Sequence, residues 1–327
     1  MIEVKHLTKR YGSHTAVSDL SFTIEPGVIY GFLGPNGAGK STTMNIITGC
    51  LGATDGEVRV GGHSIADEPM AAKRLIGYLP EQPPLYQDMT PKEYLRFVAQ
   101  AKGIPHRDRN AQLHAVMEKT RIADVQDRLI RNLSKGYRQR VGIAQALLGD
   151  PEIIILDEPT VGLDPAQIIE IRELIRDLGR EHTLVLSSHI LSEVQAVCDH
   201  IMIVSRGRLV ASDTPENLTT LFAGETSIHL EIIADESAVR RVLADIPGVE
   251  VTALSAGDGT IRCELHQAGE TDVRATLFGA FAAAQLPIIG MSRVRASLED
   301  VFLELTNGEA SADAAADDAP HEEVDEP

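Results

Sequence analysis

The chain has 327 residues and a formal charge of −18, from 30 basic and 48 acidic side chains. That length suits two domains, or one large domain with an appendage, and so acidic a balance argues against a protein that grips nucleic acid by neutralising its phosphates. Cys50, Cys198 and Cys263 lie too far apart for a disulfide framework or a zinc site, which fits a reducing cytosol and thiols that serve as packing residues. No apolar run reaches the ~18–20 residues of a membrane span, and Met1-Ile2-Glu3-Val4-Lys5 opens no signal-peptide stretch. The expectation is a soluble protein, or one held at a membrane only through partners.

Residues 1–222 alternate strand-like and helical stretches. Val28–Leu33 is a short apolar run entering a glycine-rich turn, and Thr42–Thr48 after it is helical. Glu152-Ile153-Ile154-Ile155-Leu156, flanked by Pro151, and Thr183–Ser187 are two more such runs. Runs apolar on both faces suit central strands of a parallel sheet covered by helices. Between them Asp164 predicts an N-cap and Pro165 a first helical position, with Ile168, Ile171, Leu174, Ile175 and Leu178 at helical spacing. The pattern is α/β.

Residues 226–306 read differently. Ser227–Ile233, Val249–Leu254, Thr260–Leu265 and Pro287–Val294 are strand-like, and Glu236–Asp245 and Asp272–Gln285 are helical. Gly257-Asp258-Gly259 signals a hairpin. The order β-α-β-β-α-β is that of a small α+β, ferredoxin-like accessory domain, with Leu298–Leu305 as a closing helix. Residues 308–327 hold eight acids and no Lys or Arg, the composition of a disordered, solvated tail.

Two motifs carry chemistry. Gly34-Pro35-Asn36-Gly37-Ala38-Gly39-Lys40-Ser41, followed by Thr42, matches the phosphate-binding loop G-x-x-x-x-G-K-[ST], with the required strand before it and helix after it. The glycines let successive N–H groups turn inward around phosphate oxygens, and a helix N-terminus adds positive potential. Lys40 would pair with the β- and γ-phosphates, and Ser41 would ligate Mg²⁺, which prefers oxygen. Asp157 ends an apolar strand, where ligands gather in open α/β sheets. It would hold the metal, while Glu158 would polarise the attacking water as general base.

Five further segments stand in an order that resembles the ABC-type ATPases, the nucleotide-binding subunits of ABC transporters. Leu133-Ser134-Lys135-Gly136-Tyr137-Arg138-Gln139-Arg140 resembles the family signature, and Val161-Gly162-Leu163-Asp164-Pro165 its D-loop. His189 resembles the switch histidine, Tyr11 the aromatic that stacks on adenine, and Ile76–Glu81 falls at the Q-loop. The resemblance covers residues 2–222. It implies an α/β P-loop domain with a helical subdomain and a head-to-tail homodimer in which each ATP lies between one copy's Lys40 loop and the other's Ser134 and Gly136. It also implies separate integral-membrane permease subunits, docked near Pro83–Arg96, and a place on the inner face of the cell membrane. Gly77–Tyr86 and Leu133–Arg140 resemble the gliding-motility-type export ATPases of the ABC-2 class.

Two positions depart from the family. The Q-loop glutamine aligns with Glu81, and Gln82 follows it, so either could reach the metal; the signature carries Lys135 and Tyr137 instead of Gly and Gln. Arg138 and Arg140 read as a solvated helix face. Two rival readings are a soluble ABC-type ATPase acting on nucleic acid or ribosomes, which the acidic charge disfavours, and a nucleotide sensor, which could dispense with Glu158. No guanine-specifying Asn-Lys-x-Asp is present, which disfavours a GTPase.

Overall fold

Strands that are apolar on both faces need cover on both sides, and the computed structural model buries every residue of Ile29–Leu33, Ile153–Asp157 and Thr183–Ser188. It describes residues 1–222, 226–257, 259–267 and 273–294, with Glu299 and Phe302. By its contacts the chain divides between Pro215 and Glu216.

The first unit runs β1 (Ile2–Tyr11), β2 (His14–Ile24), β3 (Ile29–Leu33), α1 (Lys40–Ile47), β4 (Asp55–Val60), β5 (His63–Ser64), α2 (Pro69–Arg74) and β6 (Ile76–Leu79). It continues through α3 (Pro91–Ala101), α4 (His106–Lys119), α5 (Lys135–Leu147), β7 (Ile153–Asp157), α6 (Pro165–Gly179), β8 (Thr183–Ser188), α7 (Leu191–Val197), β9 (His200–Ser205) and β10 (Arg208–Asp213). A mixed sheet is ordered β10-β9-β3-β8-β7-β6, with β9, β3, β8, β7 and β6 parallel, and an antiparallel sheet β2-β1-β4-β5 stands against it. One apolar cluster, including Leu7, Leu20, Phe32, Met44, Ile155 and Val204, joins the two sheets through α1.

Local signals act as expected on the helices. Asp164 caps α6 by accepting the Gln167 N–H at 2.9 Å, with Pro165 at the first position. Thr90 and Glu93 close a reciprocal capping box on α3. Arg140 corrects the expectation of a solvated face. It is buried, donates to the Thr120 carbonyl at 3.2 Å and pairs with Glu170, so it ties α5 to the end of α4 and to α6. Arg138 turns back to the Leu133 carbonyl at 2.7 Å. Cys198 and Cys263 are buried, but Cys50 is exposed and is no packing residue.

The second unit begins in α8 (Pro215–Phe222) and runs β11 (Thr226–Ile233), α9 (Glu236–Ala244), β12 (Val249–Gly257), β13 (Thr260–Gln267), α10 (Arg274–Ala283) and β14 (Ile288–Val294). Its sheet is antiparallel throughout, ordered β12-β13-β11-β14. Ile228, Leu230, Ile232, Ile261 and Leu265 from the sheet pack with Val239, Leu243, Leu277 and Phe281 from the helices into a core of its own. The expected closing helix falls outside the described residues except for Glu299 and Phe302, and the expected tail 308–327 lies wholly outside them.

Candidate active site

The turn from β3 into α1 builds the first wall. Gly39 caps α1 at φ +94°, and a Cβ there would lie 2.4 Å from the Ala16 carbonyl oxygen, so only glycine fits. No side chain caps the helix, which leaves its first N–H groups facing the loop for an anion. The Lys40 ammonium donates to the carbonyls of Gly34 at 2.8 Å and Pro35 at 3.2 Å, and lies 3.7 Å from Glu158 Oε1. Burial pushes its pKa below the ordinary lysine value, while the carboxylates of Glu158, Asp157 and Glu81 work against that shift and favour the charged form.

The carboxyl ends of β7 and β8 build the second wall, because their parallel register sets Asp157 beside Ser187. Ser187 Oγ donates to Asp157 Oδ1 and accepts the Glu158 N–H at 3.0 Å, so one hydroxyl fixes both acids. Ser41 Oγ donates to the same Asp157 oxygen at 3.2 Å. Glu158 sits at φ +48°, a left-handed conformation that costs a non-glycine residue about 1–3 kcal/mol and that recurs at functional sites. Its Oε2 lies 2.9 Å from His189 Nδ1.

These walls enclose a cleft of about 460 Å³ lined by Tyr11, His14, Ala16, Asn36, Gly37, Gly39, Lys40, Ser41, Thr42, Glu81, Glu158, Val161 and His189. Tyr11 stands half-exposed at the rim with the Lys9 ammonium 5.3 Å from its ring centroid. Gly34 and Ala38 are buried and Pro35 is exposed, none of them on the cleft wall, and Asp157 is bonded to the lining residue Ser41. Gln82 is not on the cleft wall and Glu81 is. Ser134 and Gly136 do not line the cleft. The donor set fits a nucleotide: backbone amides and one lysine at one end, an aromatic at the rim. It fits magnesium as well, since this ion takes one or two protein oxygens and fills the remaining positions with water and phosphate. A larger hollow of about 530 Å³ on the sheet of the second unit offers no such chemistry, because the one guanidinium lining it, Arg262, is paired with Glu231.

Residues 17–161 match the ABC transporter family model. The chain is similar to the linearmycin resistance ATP-binding protein of Bacillus subtilis (strain 168), 32% identical over 94% of this chain and 98% of that protein. The chain belongs to the ABC transporter ATP-binding subunits. Nod factor export ATP-binding protein I of Ralstonia nicotianae is 32% identical over 94% of each chain. Among solved structures, an ATP-binding subunit of an ABC transporter is 32% identical with a TM-score of 0.62, over 68% of this chain and 93% of that one. A dimeric ATP-binding cassette in a post-hydrolysis state, bound to ADP and Pi, is 25% identical with a TM-score of 0.60, over 65% of this chain and 98% of that one.

The protein is therefore an ABC ATPase, an enzyme that hydrolyses ATP in service of transport, and subunits of this family dimerise and work with membrane permeases. Among the described residues of this ABC ATPase no helix is long and apolar enough to cross a membrane. Ser134 caps α5 by accepting the Tyr137 N–H at 3.3 Å, and Gly136 packs so tightly that a Cβ would lie 2.9 Å from the Gln167 side chain. Sequence reasoning assigned no role to Ser187, His14 or Ala16, and it named Val161 only as part of the D-loop segment. For Ser187 a signal existed, two hydroxyls ending an apolar strand just before His189; for His14 and Ala16 there was none.

Proposed function

We propose that this ABC ATPase powers export through separate integral-membrane permease subunits, as an ABC-2 transporter of the gliding-motility type. The observation that carries the reading is the meeting of Lys40, Glu158 and His189 in one cleft, with Glu158 2.9 Å from the histidine and 3.7 Å from the lysine. A sensor needs the lysine and the loop; only a hydrolase needs a carboxylate aimed where the γ-phosphate ends. The wording of Gly77–Tyr86 and Leu133–Arg140, and relatives concerned with Nod factor export and linearmycin resistance, support the export class.

In this reading Gly34–Thr42 binds the phosphates and Tyr11 stacks on adenine. Ser41 and Asp157, with Glu81 on the cleft wall and its neighbour Gln82 less well placed, hold Mg²⁺. The ion would neutralise charge on the β- and γ-phosphates. Glu158 takes the proton of the attacking water, and His189 orients Glu158 and the γ-phosphate. Two copies close head to tail, Ser134 and Gly136 of each meeting the nucleotide of the other. The permease docks beside the Q-loop, where Tyr86 and Phe97 are exposed with ring centroids 5.4 Å apart and Tyr94 lies 5.8 Å from Tyr86. This holds the subunit on the cytoplasmic face of the membrane. A ferredoxin-like accessory domain over residues 226–306, following the ATPase domain 1–222 in the chain, and a solvated acidic tail over 308–327 complete the reading; the strand and helix order of β11–β14 and the tail's composition support it.

Co-purification tests the reading. The full-length tagged chain, extracted from membranes in mild detergent, should retain an integral-membrane protein that stimulates its ATPase. Recovery with ribosomes or nucleic acid instead would favour the soluble alternative.

A further inference from the structure

We propose that Glu193 is a positioning residue for ATP hydrolysis, clamping the loops after β7 and β8 at the distance that aligns Glu158 with His189; this rests on the catalytic reading of that pair. Glu193 stands in the first turn of α7 and is 5% exposed. Its Oε2 accepts hydrogen bonds from the hydroxyls of Thr160 and, at 3.3 Å, Ser188. Ser188 Oγ in turn accepts the Ile190 N–H at 3.0 Å. Thr160 and Ser188 are buried too, and among the described residues no cation lies within ion-pair distance of Glu193.

A buried carboxylate held only by hydroxyls is an expensive way to fill space. An apolar side chain of similar volume leaves no charge to desolvate, although alone it would strand the two hydroxyls that donate to Glu193. What the carboxylate does that leucine would not is accept from the loop after β7 and from the end of β8 at once. Thr160 lies two residues after Glu158, and Ser188 directly precedes His189. On the cleft side the same two segments are joined by the 2.9 Å contact of Glu158 with His189. The segments are therefore tied front and back, and the rear tie sets their separation. A reacting group displaced by about 1 Å loses up to about a hundredfold in rate.

The test uses the full-length chain and single-turnover ATP hydrolysis, with ATP affinity and Tm measured alongside. Glu193→Leu should lower the hydrolysis rate at least about tenfold, leave ATP affinity unchanged and lower Tm only modestly, since the Thr160 and Ser188 hydroxyls lose their acceptor while the assay temperature stays well below unfolding. Glu193→Gln, whose amide oxygen still accepts the Thr160 hydroxyl, should keep most of the rate. Thr160→Val should match Glu193→Leu while Thr160→Ser restores the rate, and the Thr160→Val, Glu193→Leu double variant should be no slower than either single, as for groups acting as one unit. Parent-rate hydrolysis by Glu193→Leu, additive losses in the double variant, or a rate loss that merely follows a lowered Tm would each overturn the inference. If Glu193→Leu does not fold, the Thr160→Val and Thr160→Ser pair decides. Glu158→Gln is the control: full turnover there would sink the catalytic reading itself, whereas a dead Glu158→Gln beside a fully active Glu193→Leu would sink only the role of Glu193.

Discussion

Replacing Glu158 by glutamine separates the two roles that its carboxylate plays. Lys40 Nζ lies 3.7 Å from Glu158 Oε1, a separation at which opposite unit charges attract by about 4 kcal/mol at an effective dielectric constant near 20. That attraction competes with the phosphates for the same ammonium, so the neutral amide frees Lys40 and also removes a negative charge beside the γ-phosphate. ATP affinity should hold or rise. Hydrolysis should fall ~10²–10⁴-fold, the scale of a lost general base and equivalent to about 3–5 kcal/mol on the barrier. Folding should change little, because the φ of +48° is kept and glutamine still reaches His189. Equilibrium binding of labelled ATP, single-turnover hydrolysis and size-exclusion chromatography in Mg-ATP report the three effects, the last by accumulation of a closed dimer. Asp157→Asn should differ, weakening Mg²⁺-dependent binding itself. Hydrolysis at the parent rate by Glu158→Gln would refute the assignment, and a loss of affinity would refute the competition for Lys40.

Lys40→Ala should abolish ATP binding at micromolar nucleotide, since it removes the cation at a buried anion site; unchanged binding would place the site elsewhere. Gly39→Ala should destabilise the first unit by about 2 kcal/mol or more in urea unfolding, because φ is +94° and the new methyl meets the Ala16 carbonyl at 2.4 Å. A thiol reagent should modify Cys50 alone in the native protein and all three cysteines after unfolding, because Cys198 and Cys263 are buried. Burial also holds the Cys263 pKa up at about 11 against an ordinary 9.0, so the folded state keeps a proton that the unfolded chain loses. Its contribution to stability is full below about pH 9 and is lost as pH rises through about 11; a Cys263→Ala variant should lose that alkaline dependence in unfolding titrations.

What the sequence determined by itself is everything written in a short run of chain. The phosphate loop, Asp157-Glu158, the Asp164–Pro165 helix start and the doubly apolar strands were legible because each depends on backbone geometry or burial that a few adjacent residues dictate. The roles proposed for His189, Tyr11 and the Ser134 segment rest on resemblance, since neither spacing nor chemistry marks a lone His189 or Tyr11. Tertiary structure decided the rest. The parallel register of β7 and β8 sets Ser187 under both acids and brings Glu193 across to Thr160, pairings 29 to 33 residues apart. It also puts Glu81 rather than Gln82 on the cleft wall and buries Arg140, because a helix face is solvated only where no neighbour covers it. Such contacts depend on how strands align and helices pack, and no stretch of sequence spells out its neighbour across a sheet.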